Sequence, residues 1–321
     1  MSDNPVWHMR RALKLAEKGK VLPNPRVGAV LVKDGKKIGE GYHAEYGGDH
    51  AEIAALKNCS SSPKGATLYV TLEPCCHQGK TPPCTKAIIA AGISKVVVAV
   101  QDPSSKVNGK GFAELQKAGT EVEAGLMEEE ARRLNKAFFA FHEKGRPFIS
   151  LKWAQSLDAK IGILGEKALL SGEPALNFAH GLRATHQAIL VGAGTVLNDD
   201  PELTTRRVPG ADPLRVILQS KEKLPKSLKV FADKNHLVLP HEDLYQTLQT
   251  LTEKGIQSVL VEGGAQVLQS FLDAGLWDEA FVIVAPKYLG EGAVIAPQIP
   301  EDLKPGKPQV LGKDVVFKFK L

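Results

Sequence analysis

The stretch from His50 to Cys84 constrains the fold of this chain most, because it contains the donor atoms of a possible zinc site. A catalytic zinc takes three nitrogen or sulfur ligands from the protein and keeps a fourth position open for water. His50, Cys75 and Cys84 would supply these ligands, so the fold must bring three separate segments together. Glu52 follows His50 in an H-x-E pattern and would pass a proton from the activated water to a leaving amine.

The wider pattern is typical of zinc-dependent nucleobase deaminases, whose signature is H-x-E followed later by P-C-x-x-C. This chain departs from that signature, because Gln78 stands three residues after Cys75 and the next cysteine is Cys84. We interpret Cys59 and Cys76 as non-ligands, with Cys76 as the alternative if Cys75 does not bind the metal. The simpler interpretation is that the cysteines are small core residues, which is their usual role when buried.

The local sequence places two of the three candidate ligands at helix N-termini. Thr81 is expected to cap a helix whose first residue is Pro82, so that Cys84 falls in the first turn. The helix dipole lowers the pKa of a thiol at that position and favours the thiolate that binds metal. Asp49 is similarly expected to cap a helix that begins after His50.

Length and composition indicate a globular chain with two domains. The 321 residues exceed what one domain usually holds, and 43% apolar with 24% charged residues fit packed cores. No apolar run reaches the roughly 18 residues of a membrane span, and the N-terminus lacks the basic and apolar regions of an export signal. We therefore expect a cytoplasmic protein that does not bind membranes.

The charge pattern bears on the class of partner. A net charge of +5 is compatible with phosphorylated substrates and a phosphorylated cofactor. It would also permit RNA binding, but the basic residues are scattered among acidic ones and form no run of five. Aromatic residues, at 6% of the chain, argue further against a groove that stacks bases. We therefore expect a small-molecule substrate and no nucleic-acid partner.

Strands and helices alternate in both halves of the chain, which predicts α/β domains. In the first half, the pattern predicts a three-layer domain that ends in one long helix from Met127 to Glu143. Gly145, Arg146 and Pro147 follow this helix and mark the expected boundary. We therefore predict domains at residues 1–145 and 146–321.

Two glycine-containing turns in the second half follow predicted strands. Glu262-Gly263-Gly264 precedes a predicted helix, where bare backbone N–H groups and the helix dipole can bind phosphate. Gly192-Ala193-Gly194 is a weaker match to the same arrangement. Each turn taken alone could equally be a tight turn with no ligand.

The residues quoted so far resemble one family closely, the bifunctional deaminase–reductases of riboflavin biosynthesis. The deaminase half of that family has the longer loop between its two cysteines, which accounts for the departure at Gln78. The resemblance implies an N-terminal cytidine-deaminase-like three-layer domain and a C-terminal dihydrofolate-reductase-like α/β domain. The matching segments are Pro23 to Gly28, His43, His50 to Glu52, Thr71 to Cys84, Gln101 to Pro103, Gly109 to Gly111, Ser156 to Asp158, Ile189 to Thr195, Asp199 to Thr204 and Val261 to Gly264.

The resemblance also implies roles for polar loop residues of the first domain. Asn24 would read a pyrimidine ring edge and Asp102 would bind ribose. The phosphoribosyl tail would be bound by His43, His77 and Lys80. The family often has Asn after Asp-Pro where this chain has Ser104, which puts one contact there in question.

In the second domain the resemblance implies a site for NADPH and a phosphorylated substrate. Arg183 and Arg206 suit phosphate, because a guanidinium pairs with it through two hydrogen bonds. We assign no catalytic base to this site, and the candidates are Asp199 and Lys152. The cofactor-binding residues would be Ala154, Leu169, Thr195, Asp199, Ser220 and Gly264. The substrate-binding residues would be Lys167, Arg183, Leu203, Arg206 and Glu262.

The second domain also departs from the family pattern in one loop and at two further positions. Lys167 and Leu169 stand where the family often has Ser and Trp, and these positions would touch substrate and cofactor. Ala159 replaces a common Gly, and Gln219 replaces a common Asp. The deaminase motif is intact, whereas the reductase motif departs from the family pattern in this loop.

We therefore expect a riboflavin-pathway enzyme that uses zinc and NADPH and forms a homo-oligomer. The first domain would hydrolytically deaminate 2,5-diamino-6-(5-phosphoribosylamino)pyrimidin-4(3H)-one, and the second would reduce its ribosyl group to ribityl. One alternative is an active deaminase whose C-terminal domain is impaired as a reductase and only binds a ligand or supports oligomerisation. A further alternative is a nucleic-acid deaminase with an accessory RNA-handling domain.

Overall fold

The computed structural model describes residues 4–79, 81–166, 169–219, 223–241 and 243–321. The chain divides into two compact units, Met1–Gly145 and Arg146–Leu321, and each is described by itself. Within the described ranges, no helix has both the length and the apolar character needed to cross a membrane.

The first unit is built on one five-stranded sheet with the order β2-β1-β3-β4-β5. Its strands are β1 (Gly28–Lys33), β2 (Lys36–Tyr42), β3 (Thr67–Val70), β4 (Lys95–Val98) and β5 (Glu121–Ala124). Strand β1 pairs antiparallel with β2 and β3, whereas β3, β4 and β5 are parallel. Parallel neighbours end at the same edge of the sheet, so the segments that follow β3 and β4 come together there.

Within residues 4–79 and 81–145, six helices cover both faces of this sheet. They are α1 (Pro5–Ala16), α2 (Ala51–Lys57), α3 (Cys84–Ala90), α4 (Lys110–Lys117), α5 (Glu128–Leu134) and α6 (Lys136–Lys144). One apolar cluster joins Met9 of α1 and Phe139 of α6 to Val30 and Val97 of the sheet. Helices α2, α3 and α4 contribute to a second cluster on the other face. The central strands β1, β3 and β4 are buried from both sides, which explains their nearly continuous apolar runs.

Three local predictions for this unit are wrong. The predicted helix from Met127 to Glu143 is interrupted at Asn135, which separates α5 from α6. Helix α3 begins at Cys84 itself with Pro83 at the N-cap, so Thr81 does not cap it. His50, not Asp49, occupies the N-cap of α2, and the Asp49 carboxylate pairs with Lys57.

The second unit is built on an eight-stranded sheet with the order β10-β9-β8-β11-β6-β12-β15-β14. Its strands are β6 (Phe148–Gln155), β8 (Ala188–Gly192), β9 (Leu214–Gln219), β10 (His236–Pro240), β11 (Ser258–Val261), β12 (Glu279–Val284), β14 (Gln309–Leu311) and β15 (Asp314–Lys320). The six strands from β10 to β12 in this order are parallel, and β15 and β14 are added antiparallel. A separate two-stranded sheet joins β7 (Lys160–Gly162) to β13 (Val294–Ile295).

Helices also cover both faces of the second sheet. They are α7 (Glu173–Thr185), α8 (Ala193–Asp199), α9 (Leu244–Glu253) and α10 (Ala265–Asp273), and a 3-10 turn lies at Lys229–Phe231. Leu251 of α9 and Phe271 of α10 pack on one face with Trp277. Helices α7 and α8 pack through Ala175 and Val196 against the other face. The α/β class predicted from the sequence is therefore confirmed for both units.

Candidate active sites in the two units

Three donor atoms converge near the carboxyl end of β3 in the first sheet. His50 lies at the N-cap of α2, Cys75 lies in the loop after β3, and Cys84 is the first residue of α3. The Nδ1 atom of His50 lies 3.5 Å from the Cys75 sulfur and 3.3 Å from the Cys84 sulfur. All three donor atoms lie within 4.8 Å of one another.

This geometry fits a tetrahedral zinc ion. Zinc–sulfur bonds of about 2.3 Å and zinc–nitrogen bonds of about 2.0 Å at tetrahedral angles place two ligand atoms roughly 3.5 Å apart. Two sulfurs and one imidazole nitrogen are also the donor set that zinc prefers. Three protein ligands leave the fourth position open, which is typical of a catalytic site and not of a structural one.

The surroundings of the two thiols favour a thiolate. Hydrogen bonding from Cys84 and from His50 lowers the pKa of the Cys75 thiol to about 4. The backbone N–H of Cys84 also donates to the Cys75 sulfur at 3.4 Å. The neighbouring Cys75 sulfur and burial raise the pKa of Cys84. One sulfur of the pair therefore readily gives up its proton, and the thiolate is the form that binds metal.

The ring of His50 is oriented by Thr81, which the sequence predicted to be a helix cap. Nδ1 faces the two sulfurs, and Nε2 lies 3.3 Å from the hydroxyl oxygen of Thr81. A metal-binding histidine usually donates its other ring N–H to such an oxygen, which fixes the tautomer and the ring plane. Thr81, predicted as a helix cap, thus contacts the candidate ligand directly.

Glu52 is buried beside the candidate ligands, with 4% of its surface exposed. Burial, followed by the charge of Cys75, raises the pKa of its carboxyl group to about 7. A carboxyl group with a pKa near neutrality both accepts and releases protons efficiently at physiological pH. The geometry and the raised pKa suit a proton shuttle next to a metal site.

A short chain of contacts connects Asn24 to the candidate metal site. The Asn24 side-chain nitrogen lies 3.3 Å from Nε2 of His43, and Nδ1 of His43 lies 2.9 Å from the Asp49 carbonyl oxygen. Because a carbonyl only accepts, Nδ1 of His43 donates, and Nε2 of the neutral ring accepts from Asn24. The rings of His43 and His50 are 5.3 Å apart. His43 is 3% exposed, so it lies in the wall behind Asn24.

The other candidate substrate residues of this unit lie in loops near the same end of the sheet. His77 is half-buried, and in the described part of the chain its Nδ1 atom is buried without a hydrogen-bond partner. Asp102 follows β4, accepts a hydrogen bond from the Ser104 backbone N–H at 2.7 Å, and has its pKa raised by burial to about 6. Lys80 lies outside the described residues.

Glu73 is a buried residue of this site whose role the sequence analysis missed. Its two carboxylate oxygens accept hydrogen bonds from four backbone N–H groups, at distances between 2.9 and 3.3 Å. The donors are Asp102, Gly109, Gly111 and Phe112. Glu73 therefore ties the Asp102 loop and the N-terminus of α4 to the segment that carries Cys75. The motif Gly109-Lys110-Gly111 was a signal for this, because a Cβ atom at Gly111 would lie 2.3 Å from the Pro74 carbonyl oxygen.

We expect Glu73→Gln to lower kcat/KM for the reaction of this site by about 10- to 100-fold, because a small displacement of positioning groups is costly. Glutamine offers one oxygen, so two backbone N–H groups would face its NH2 group. Steady-state kinetics together with zinc content would test this. Glu121→Gln, which removes an exposed partner of Lys95 at the amino ends of β4 and β5, away from the site, is the control. A Glu73→Gln enzyme as active as the control would contradict the assigned role.

In the second unit, three charged residues meet beside the carboxyl end of β11. Glu262 directly follows β11, Lys152 lies in β6, and Arg183 lies in α7. Arg183 donates two hydrogen bonds to the Glu262 carboxylate, each 2.8 Å long, and a third to the Thr204 carbonyl oxygen. The Lys152 ammonium lies 3.5 Å from the same carboxylate. Burial alone would raise the pKa of Glu262, but Arg183 and Lys152 lower it to about 2.

Beside this cluster, the two glycine turns lie next to each other. The Gly264 backbone N–H donates to the Thr195 hydroxyl at 2.7 Å, which joins the start of α10 to that of α8. A Cβ atom at Gly263 would lie 2.5 Å from the Cα atom of Val191, so only glycine fits there. No side chain caps the helix α10 that follows Gly264. Its backbone N–H groups and dipole are suited to a phosphate group, which NADPH carries.

The remaining predicted residues of the second unit occupy varied positions. Ala154 is half-buried in β6, and Leu203 is buried with a φ of +56°. Arg206 is exposed and pairs with Glu202 at 3.4 Å, and Asp199 is exposed at the end of α8. Leu169 is 68% exposed, and its carbonyl oxygen accepts a hydrogen bond from the Lys287 ammonium at 2.7 Å. Lys167 and Ser220 lie outside the described residues.

Comparison with known proteins agrees with this geometry in both units. Residues 2–100 match the cytidine and deoxycytidylate deaminase zinc-binding region, and residues 147–317 match the RibD C-terminal domain. The chain is therefore a bifunctional enzyme with a zinc-binding deaminase domain followed by a reductase domain, and the reductase domain fits the use of NADPH. The predicted pair of fold types is confirmed.

The chain belongs to the RibD family of riboflavin biosynthesis. It is 44% identical to the riboflavin biosynthesis protein RibD of Aquifex aeolicus, over 98% of this chain and 97% of that protein. It is 39% identical to the Escherichia coli protein of the same name, over 89% of each. Among solved structures, Acinetobacter baumannii RibD superimposes with a TM-score of 0.92 at 36% identity, covering 98% of both chains. The predicted family and pathway are confirmed.

Proposed function

We propose that residues 1–145 deaminate 2,5-diamino-6-(5-phosphoribosylamino)pyrimidin-4(3H)-one by hydrolysis at the 2-amino group. Residues 146–321 then reduce the ribosyl group of the product to ribityl with NADPH. The observation that carries the proposal is the convergence of His50, Cys75 and Cys84 beside the buried Glu52. A Thermotoga maritima structure described as this type of deaminase and reductase, with a TM-score of 0.88 and 37% identity, supports the choice of substrate.

In the first reaction Glu52 moves the proton. His50, Cys75 and Cys84 would hold zinc, which would supply the Lewis acid that makes water a nucleophile near neutral pH. The Glu52 carboxylate accepts a proton from the attacking water and returns it to the 2-amino group, which leaves as ammonia. Its pKa of about 7 allows it to act in both directions.

The same proposal assigns the binding residues of the first unit. Asn24, fixed by its hydrogen bond to His43, turns its carbonyl oxygen away from His43 and toward a ring N–H of the pyrimidine. The half-buried His77 would contact the phosphoribosyl part, together with Lys80. Asp102 would accept hydrogen bonds from ribose hydroxyls. His43 contributes by holding Asn24, since both of its ring nitrogens are already engaged.

In the second reaction the charged cluster positions the sugar and supplies a proton. The turn at Gly264 would hold NADPH, which would supply the hydride. We assign the proton donor to Lys152, because its ammonium is held near Glu262, whereas Asp199 is exposed at the end of α8. Arg183 already donates three of its five N–H groups to protein oxygens. We therefore assign the substrate phosphate to the exposed Arg206.

Zinc removal tests the first half of this proposal. Dialysis against a chelator should abolish ammonia release from the diaminopyrimidine phosphate, and added zinc should restore it. NADPH oxidation with the already deaminated intermediate should continue in the zinc-free protein. Ammonia release that continues after complete zinc removal would contradict the proposed mechanism. Absence of NADPH oxidation in the zinc-loaded enzyme would leave only the deaminase.

A further inference from the structure

Asn135 occupies an unusual place between α5 and α6. Its backbone has φ −117° and ψ 30°, which ends one helix and begins the next. The flanking residues are mostly good helix formers, so the sequence favours one continuous helix. The Asn135 side chain is 6% exposed. A tertiary contact must therefore explain both the interruption and the burial of an amide.

That contact is with the main chain of Arg26, 109 positions earlier in the sequence. The Arg26 backbone N–H donates to Oδ1 of Asn135 at 2.8 Å, and the Asn135 Nδ2 group donates to the Arg26 carbonyl oxygen at 2.9 Å. Asparagine at an N-cap usually bonds to its own helix, but no side-chain cap is formed at α6. The amide instead completes both main-chain hydrogen bonds of one distant residue.

The residue held in this way lies two positions after Asn24. The Asn24 backbone N–H donates to the Val21 carbonyl oxygen at 2.8 Å, which fixes the start of the segment, and Asn135 fixes its end. Between these two points the Asn24 side chain reaches His43, whose ring lies beside that of His50. The structure therefore contains a continuous path of contacts from Asn135 to the wall of the metal site.

We propose that Asn135 is a positioning residue of the deaminase site, which holds the Arg26 peptide so that Asn24 is presented to the pyrimidine. The proposal rests on the deaminase function proposed above. Phe138 and Phe139 of α6 anchor this helix in the apolar cluster, and Asn135 adds the hydrogen bonds to Arg26. The interruption lets the Asn135 side chain form its hydrogen bonds to Arg26. These bonds fix the position of Asn24 relative to the substrate.

A double-mutant cycle of Asn24→Ala and Asn135→Ala tests this. We expect Asn135→Ala to lower kcat/KM for ammonia release about tenfold or more, because Asn24 is displaced. In the Asn24→Ala background the same change should have little further effect. Zinc content and NADPH oxidation with the deaminated intermediate should match wild type. Asn58→Ala, which removes an exposed amide bonded to the Glu40 carbonyl oxygen, is the matched control and should leave kcat/KM unchanged.

Each outcome has a defined meaning. Effects of the two substitutions that multiply in the double variant would overturn the proposal, because Asn135 would then act independently of Asn24. Wild-type kcat/KM in Asn135→Ala would do the same. If that variant loses zinc and fails to fold, Asn135→Asp replaces it. This change keeps the acceptor for Arg26 N–H but turns an oxygen toward the Arg26 carbonyl, so zinc-loaded protein with undiminished kcat/KM would refute the role. Wild-type protein that releases no ammonia would instead refute the deaminase function itself.

Discussion

Replacing Glu52 with glutamine is expected to reduce ammonia release by about 10³-fold, the scale of a lost general acid and base. Glutamine keeps the size of the side chain but cannot take a proton from water. The three candidate zinc ligands are unchanged, so zinc content should remain that of wild type. The measurement is ammonia release from the diaminopyrimidine phosphate under saturating substrate.

The second domain provides the internal control for this variant. Glu52→Gln should oxidise NADPH at the wild-type rate when it is given the deaminated intermediate, and not when it is given the diaminopyrimidine. Ammonia release within a few-fold of wild type would contradict the role of Glu52. Loss of zinc from the variant would show that the substitution disturbed the ligands and not the proton transfer.

Replacing Glu262 with glutamine is expected to abolish NADPH oxidation and to destabilise the second unit. Glu262 compensates the partly buried charges of Arg183 and Lys152. Breaking a buried ion pair by removing one partner typically costs about 3–5 kcal/mol. Ammonia release should persist, because Glu262 belongs to the other unit. Thermal unfolding and both activity assays would measure the effect. Glu173→Gln, which breaks an exposed pair with Arg207, is the control that should change neither.

The Glu262 pair also predicts a pH dependence of stability. Its pKa in the folded protein is lowered from 4.5 to about 2. A lowered pKa contributes stability above the unfolded value, so this contribution is complete above pH 4.5 and is lost as the pH falls toward 2. The Glu262→Gln variant should lack this component of the acid transition. Identical acid unfolding curves for the variant and wild type would contradict the ion-pair assignment.

The sequence predicted the candidate zinc donors because the chemistry of zinc restricts them to few residue types. His50, Cys75 and Cys84 were selected by ligand preference and spacing, and the fold brings their donor atoms together. The two helix caps were predicted wrongly because capping depends on which nearby group is free. The hydroxyl of Thr81 lies beside His50, and the carboxylate of Asp49 pairs with Lys57. Local propensity could not show either competing partner.

Long-range hydrogen bonds explain most of what the sequence did not reveal in the first unit. Asn135 interrupts a helix that local sequence favours, because its amide binds Arg26. Glu73 was quoted within a motif, but its four backbone donors lie in the Asp102 loop and at the start of α4, between 29 and 39 residues later. A pattern along the chain gives no direct sign of such contacts. Only the glycine at position 111 indicated a close approach.

The second site was harder to derive from residues alone. Glycine turns are common without ligands, so the predicted NADPH and substrate site depended mainly on the family resemblance. The structure adds that Arg183 is engaged with Glu262, which a list of phosphate-binding candidates could not show. The departures at Ala159, Leu169 and Gln219 leave the turn at Gly264 and its bond to Thr195 in place. Lys167, in the altered loop, lies outside the described residues.

Mass analysis of the products formed in heavy-oxygen water tests the central claim most directly, that one chain deaminates and then reduces the same molecule. Without NADPH, the diaminopyrimidine phosphate should be converted to a product that has lost its 2-amino nitrogen and gained one heavy oxygen. With NADPH, the same product should gain two further hydrogens. Reduction of the substrate with its 2-amino group intact, or deamination without incorporation of the heavy oxygen, would contradict the account.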